Sequence, residues 1–241
     1  MVELREYKHL GLSLFVSDEL FLPNPTTNRI AKAIDHSDLE GKIVFDIGTG
    51  VGPLAIWAAK NGARHVYGVD TNSEQIDMAK VNAKYNNVQE KTDFYVGSLF
   101  DPLNSMKADT IIGDVSTLTD IAGRVLGYYP ERVEVGGPDG TRNIIQLLLA
   151  APCYLNEGGT LYFPFTPDLA DGEKTMRAAE ETFRNIEHLQ PIKFELKEDD
   201  IIALKAAYNG NLPAFMSKVG ILNEYNRYVW HGEVIKASRP F

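Results

Sequence analysis

The densest run of chemically informative residues is Phe45-Asp46-Ile47-Gly48-Thr49-Gly50-Val51-Gly52-Pro53. Glycines at alternate positions let a backbone turn tightly and approach a bound molecule closely. Pro53 suits the first turn of a helix, whose N-terminus then points at whatever the loop holds. Two ligand classes use such a turn. A dinucleotide follows Gly-x-Gly-x-x-Gly and rests its pyrophosphate on the helix end. Here Gly52 comes one residue early, Pro53 stands where the third glycine belongs, and Asp46 puts a carboxylate ahead of the loop. A pyrophosphate gains nothing from that carboxylate, whereas a sulfonium ligand with an ammonium group tolerates it. The loop therefore favours S-adenosylmethionine over NAD, with Gly48, Thr49, Gly50 and Gly52 as its cradle. Asp46 either faces that ligand or ties down the loop's own N–H groups, and the two roles are compatible.

Asp70, followed by Thr71, ends the next apolar run at the spacing where a carboxylate accepts hydrogen bonds from ribose hydroxyls. Such an Asp equally serves as a cap for the following helix. Val96-Gly97-Ser98-Leu99-Phe100-Asp101 would flank an adenine, with Ser98 or the backbone beside Leu99 meeting its exocyclic amine; a plain strand-to-loop turn reads the same way. Tyr128, Tyr129 and Arg132 could wall an acceptor pocket or pack on the surface. The histidines at 9, 36, 65, 188 and 231 show no ligand spacing, so no metal site is expected, and Cys153 reads as core at an apolar helix end.

These residues must be carried by an alternation of short β-branched runs and helical patterns, expected as a doubly wound α/β fold: a mostly parallel seven-stranded sheet, Rossmann-like. Expected strands are Ile43 to Ile47, His65 to Asp70, Thr92 to Val96, Thr110 to Gly113 and Thr160 to Phe165. Expected helices are Pro53 to Lys60, one capped by Ser73 and running to about Tyr85, and Thr141 to Leu155. Residues 1–40 read as an N-terminal leader and helix, and 41–241 as one domain. Its C-terminal part reads as a helix Glu173 to His188, a strand Ile192 to Leu196, a helical segment Asp199 to Tyr225 and a strand Arg227 to Ile235. Residues 198–226 interrupt two strands that would otherwise pair, either as a cap over the site or as a packed surface insertion.

Composition narrows the function. With 241 residues, 44% hydrophobic and 24% charged, the chain is an ordinary globular protein rather than a disordered or fibrous one. Its 33 acidic and 24 basic residues give a formal charge of −9, which argues against gripping a nucleic-acid backbone across a broad face. No apolar run approaches the roughly 18 residues of a membrane span. A single cysteine excludes an internal disulfide, and the charged start Met1-Val2-Glu3-Leu4-Arg5-Glu6 lacks a secretory core; the expected location is the cytoplasm.

The chain resembles the class I S-adenosylmethionine-dependent methyltransferases, and among them the glutamine methyltransferases of peptide-chain release factors. Three blocks carry the likeness. Leu22-Pro23-Asn24-Pro25-Thr26-Thr27-Asn28 is similar to that family's Ile-Pro-Arg-Pro-x-Thr-Glu leader, which implies that Pro23 and Thr26 lie beside the cofactor. Asp46 through Asp70 to Ala79-Lys80-Val81-Asn82-Ala83 is the second, and Val135-Gly136-Gly137-Pro138-Asp139-Gly140 the third. The family ends its fourth strand in Asn-Pro-Pro-Tyr, which holds the amide to be methylated. Here that place reads Gly113-Asp114-Val115-Ser116.

The resemblance thus implies S-adenosylmethionine as cofactor, S-adenosylhomocysteine as product, and Asp114 as the substrate contact at the edge of the cofactor site. An ionised carboxylate only accepts hydrogen bonds, so Asp114 grips an N–H but cannot donate to a carbonyl. Its structural alternative is a cap for the turn at Ser116 to Leu118. The expected reaction is methyl transfer to a nitrogen or oxygen of a small molecule or protein side chain. The competing readings are a non-catalytic cofactor-binding subunit and, disfavoured by charge and by the missing Asn-Pro-Pro-Tyr, a nucleic-acid base methyltransferase.

Overall fold

Ile43–Ile47 is a continuous apolar run around one aspartate, the pattern of a strand covered on both faces, and it forms the centre of the sheet. The computed structural model describes residues 1–129, 135–219, 221 and 225–239. In chain order the elements are β1 (Val2–Tyr7), β2 (Leu12–Ser17), α1 (Pro25–Ala33), β3 (Ile43–Ile47), α2 (Pro53–Lys60), β4 (His65–Asp70), α3 (Ser73–Tyr85), β5 (Thr92–Val96), β6 (Ala108–Gly113), α4 (Asp120–Val125), α5 (Arg142–Ala150), β7 (Leu155–Phe165), α6 (Gly172–Thr182), β8 (Asn185–Leu196), α7 (Glu198–Ala207) and β9 (Tyr228–Ser238).

A seven-stranded sheet runs β5-β4-β3-β6-β7-β9-β8. Its first five strands are parallel, and β9 lies antiparallel between β7 and β8. The expected doubly wound sheet is therefore present. One face buries Val44, Val66, Leu54, Ile56 and Ile76 against α1, α2 and α3. The other buries Phe45, Ile47, Leu147, Leu161 and Phe163 against α5 and α6. Each fully buried side chain of this size contributes about 1.5–3 kcal/mol, so the two faces together fix the sheet and, with it, the loops at the strand ends.

The structure departs from the sequence reading at several element ends, each for a local reason. The leader contains a hairpin, β1–β2, whose Leu12, Leu14 and Val16 alternate into the core while Gly11 turns the chain at φ 65°. Asn72, not Ser73, caps α3, accepting from Glu74 N at 2.8 Å and Gln75 N at 3.1 Å. Helix α5 stops at Ala150 because Pro152 shifts the chain into a tighter 3-10 turn, Ala151–Cys153, which leaves Cys153 exposed rather than in the core. Helix α6 ends at Thr182, and its expected last turn is the start of β8. Helix α4, with Thr119 as its cap, was not foreseen.

The segment expected as helical from Asp199 to Tyr225 ends its helix at Ala207. Asn209 and Gly210 take positive φ angles of 53° and 85°, the usual way a helix is closed. This insertion does join two paired strands: Leu196 of β8 faces Tyr228 of β9. It packs on α4 through a third apolar cluster that includes Leu118, Ile201, Leu204, Met216 and Trp230. Thr119 Oγ1 and Tyr208 Oη, 2.7 Å apart, tie the insertion to the loop after β6.

Candidate functional site

A cleft of about 290 Å³ opens at the C-terminal ends of β3, β4, β5 and β6, where the strand order reverses between β3 and β6. Ligands of open α/β sheets bind at such a switch point.

The glycine loop forms the floor of its inner end. Gly48 N and Thr49 N both donate to Val69 O, at 2.9 and 3.0 Å, which pins the loop to β4. Gly48 has φ 79°, and a Cβ there would come within 2.8 Å of the Asp114 carbonyl. No other residue fits between β3 and the end of β6. Gly52, at φ 86°, serves packing instead: a Cβ would press on Ala79 at 3.2 Å.

Beneath the loop Asp46 is fully buried. Its Oδ2 accepts from Thr49 Oγ1 at 2.6 Å and Ala55 N at 2.9 Å, fastening the loop to the first turn of α2. Burial pushes its carboxyl up to about 7, against the pull of those two donors, with Asp114 and Asp70 adding repulsion. Asp46, Thr49, Gly50 and Pro23 line a small void behind the loop rather than the cleft itself.

Above the loop the lining is rich in acceptors. Asp70 takes Gly50 N at 2.9 Å and Asn72 N at 3.0 Å, which aims its carboxylate along the loop at the wall of the cleft. Gln75 is 3% exposed, lines the cleft, and its Oε1 has no hydrogen-bond partner among the described residues. An orphaned buried acceptor of this kind calls for a donor from a ligand. Gly97, Ser98 and Leu99 form the opposite wall, and Thr71 lies between.

At the outer end stands Asp114. Thr27 Oγ1 donates to its Oδ2 at 3.0 Å. Thr27 is placed by its helix cap: Asn24 Oδ1 accepts from Thr26 N at 2.7 Å and Thr27 N at 3.3 Å, closing the first turn of α1. Burial raises the Asp114 carboxyl to about 6, opposed by the Thr27 bond. Aromatic side chains line the same cleft. Phe21 stacks on Tyr129 with ring centres 5.4 Å apart, Phe194 stacks on Trp230 at 4.0 Å, and Tyr128 meets Trp230 edge-on at 6.0 Å. All five line the cleft with Asp114. The Tyr129 hydroxyl is pushed up to about 12 by burial first and by the nearby Asp114 charge, so it stays protonated.

Of the residues singled out in the sequence, the cleft thus gathers Gly48, Asp70, Thr71, Ser98, Leu99, Thr26, Asp114, Tyr128 and Tyr129. Arg132 lies outside the described residues. Sequence reasoning passed over Thr27, Gln75, Phe21, Phe194 and Trp230. Thr27 could have been found from the leader block, where it matches the threonine of the family pattern. Phe194 and Trp230 are direct partners across β8 and β9, visible only once the register is known. Among the described residues no group of His, Cys, Asp and Glu is arranged to hold a metal, and no helix is long and apolar enough to cross a membrane.

A family model described as "Ribosomal protein L11 methyltransferase (PrmA)" matches residues 24–135, the stretch that carries the leader, the glycine loop and Asp114. A "Release factor glutamine methyltransferase" of Rhodopirellula baltica is 29% identical over 189 residues, covering 73% of this chain and 63% of that protein. The chain therefore spans a little under two thirds of that relative's length. A "Putative protein N5-glutamine methyltransferase" of Methanocaldococcus jannaschii is 30% identical over 151 residues, covering 63% of this chain and 74% of that protein. Among solved structures, a Thermus thermophilus 16S rRNA N2 G1207 methyltransferase in complex with AdoMet and guanosine shares the fold. Its TM-score is 0.62 at 16% identity, over 99% of this chain and 50% of the other. With the switch-point cleft, the glycine loop and these relatives in agreement, the chain belongs to the class I S-adenosylmethionine-dependent methyltransferases, within the group that includes the protein glutamine methyltransferases.

Proposed function

We propose that the protein binds S-adenosylmethionine along the glycine loop and transfers its methyl group to a nitrogen or oxygen of a protein side chain or small molecule held at Asp114. The observation that carries this reading is the division of one cleft into two chemically distinct ends. The inner end offers close backbone approach at Gly48 and the acceptors Asp70 and Gln75, which fit a ligand with ribose hydroxyls. Asp70 and Thr71, with Ser98 and Leu99 across from them, would hold the nucleoside. Asp46 and Thr49 act through the loop, keeping its turn rigid, and Gly50 lends its N–H to orient Asp70. The outer end presents a carboxylate among aromatic rings and would hold the acceptor.

When bound, the cofactor supplies an activated methyl on a sulfonium. The residues of this chain supply alignment and exclusion of water, the main requirements of an in-line displacement. Asp114, aimed by Thr27, accepts an N–H or O–H of the acceptor and orients its lone pair. Phe21, Tyr128, Tyr129, Phe194 and Trp230 keep water from the reacting atoms.

A protein acceptor is supported by the names of the relatives, which refer to release-factor glutamine and ribosomal protein L11. The test is to incubate the protein with methyl-labelled S-adenosylmethionine together with release factor, L11 or total RNA. Label is expected in a polypeptide and absent from RNA. Label confined to RNA would reverse the reading of the acceptor.

A further inference from the structure

We propose that two copies of this chain associate edge to edge through β1, joining their hairpins into one four-stranded antiparallel sheet. The hairpin has two edges, and the fold closes only one of them. Along the outer edge of β2, Asn82 accepts from Phe15 N at 2.6 Å and donates to Phe15 O at 3.0 Å, and Asn86 donates to Ser13 O at 2.9 Å. Two side-chain amides of α3 thus take the place of a neighbouring strand. The other edge is β1, and among the described residues the backbone of Val2 to Glu6 pairs with nothing but β2. This open edge, with no proline and no break in register, presents unpaired N–H and C=O groups to a further strand.

The side chains of β1 favour a second copy of itself. A two-fold axis normal to the sheet sets each residue opposite one whose side chain lies on the same face, because faces alternate along a strand. The registers that pair most of β1 with itself are then centred on Glu3, Leu4 or Arg5. Centring on Glu3 sets two glutamates opposite each other, and centring on Arg5 sets two arginines; both are destabilising. Centring on Leu4 sets Glu3 opposite Arg5 of the second copy and, by symmetry, Arg5 opposite its Glu3. The same register sets Leu4 against Leu4. That residue pairs with Phe15 on the face away from Leu14 and Val16, where Val2 and Leu4 are 55% and 46% exposed. Within one chain Arg5 pairs with Glu3 and, at 3.2 Å, with Asp18. These side chains reach solvent, so such pairs exchange partners at little cost. A formal charge of −9 opposes self-association in general, and a self-complementary edge offsets it. Among the described residues neither β1 nor β2 lines the cleft, so the pairing does not involve it.

The test is size-exclusion chromatography with light scattering on the full chain across a concentration series. We expect a dimer that forms as concentration rises. Glu3→Arg and Arg5→Glu each put like charges at both contacts and should weaken dimerisation roughly tenfold. Their equimolar mixture restores opposite charges at both contacts and should recover the dimer, which variants that merely misfold would not do. A parent chain that stays monomeric at every concentration, a dimer that either single variant leaves unchanged, or a mixture no more dimeric than its components would overturn the proposal.

Discussion

A buried carboxylate, Asp46, and a half-buried one, Asp114, set the behaviour of the site at the scale of single residues. Burial raises Asp46 to about 7 and Asp114 to about 6 from an ordinary 3.8. Between about pH 4 and 7 the folded chain therefore holds more protons than the unfolded chain, so stability falls as pH rises through that window. Asp114→Asn should make the ligand-free protein more stable by about 1–3 kcal/mol at about pH 8, shrinking toward nothing near pH 4. Urea denaturation at the two pH values checks this; a gain that grows toward acid would contradict the burial of the charge. Gln75 gives a second prediction. Gln75→Ala should weaken S-adenosylmethionine binding roughly two- to tenfold, the value of one neutral hydrogen bond. Unchanged affinity would mean that its orphaned Oε1 meets no ligand. The two residues differ in how far the sequence exposes them. Asp114 ends an apolar strand, where a carboxylate stands out. Gln75 sits within a helix beside Glu74 and Asp77 and looks like solvated surface; only the approach of the glycine loop buries it.

At the scale of elements, the loop is held from three sides, and one residue joins them. Asn82 of α3 is fully buried: it accepts Phe15 N at 2.6 Å and donates to Phe15 O and Val51 O, both at 3.0 Å. It thereby links the hairpin, α3 and the glycine loop. Asn82→Ala leaves three backbone groups unpaired in the interior, and should cost about 2–5 kcal/mol in denaturant unfolding. A loss under about 0.5 kcal/mol, the usual effect of a surface change, would show that the link carries no load. The hairpin was missed because Tyr7-Lys8-His9-Leu10-Gly11 lacks the Asn-Gly or Asp-Gly signature of a tight turn, although Leu12, Leu14 and Val16 alternate as a strand should. The glycine loop and the parallel strands were readable because their signals are local: β-branched runs, a glycine spacing, a proline at a helix start. Helix α7 ends where Asn209-Gly210 says it should, short of the Tyr225 expected, and Leu212, Phe215 and Met216 pack from a loop and a 3-10 turn.

At the scale of the whole molecule, the sheet order places both ends of the cleft at one strand reversal, and the pairing of β8 with β9 brings Phe194 and Trp230 to its lining. Helix α7 and Met216 of the intervening segment pack on α4 and Trp230. The cleft draws its lining from the strand ends of the parallel core, α1, α3 and α5, and from β8 and β9, so a ligand bound there should stabilise the fold as a unit. S-adenosylhomocysteine at about 100 times its Kd should add roughly 2.7 kcal/mol to unfolding, read as a rise in melting temperature. No rise at that concentration would show that the folded chain does not bind the ligand.

What the inner end of the cleft binds decides the function, and calorimetric titration with S-adenosylmethionine, S-adenosylhomocysteine and NAD in parallel measures it directly. The first two should bind and NAD should not. Asp70→Ala should weaken both by about 1.5–3 kcal/mol, the range for hydrogen bonds to a charged group. Binding of NAD alone, or an Asp70→Ala variant that holds S-adenosylmethionine as tightly as the parent, would contradict the assignment of the glycine loop and the carboxylate beside it.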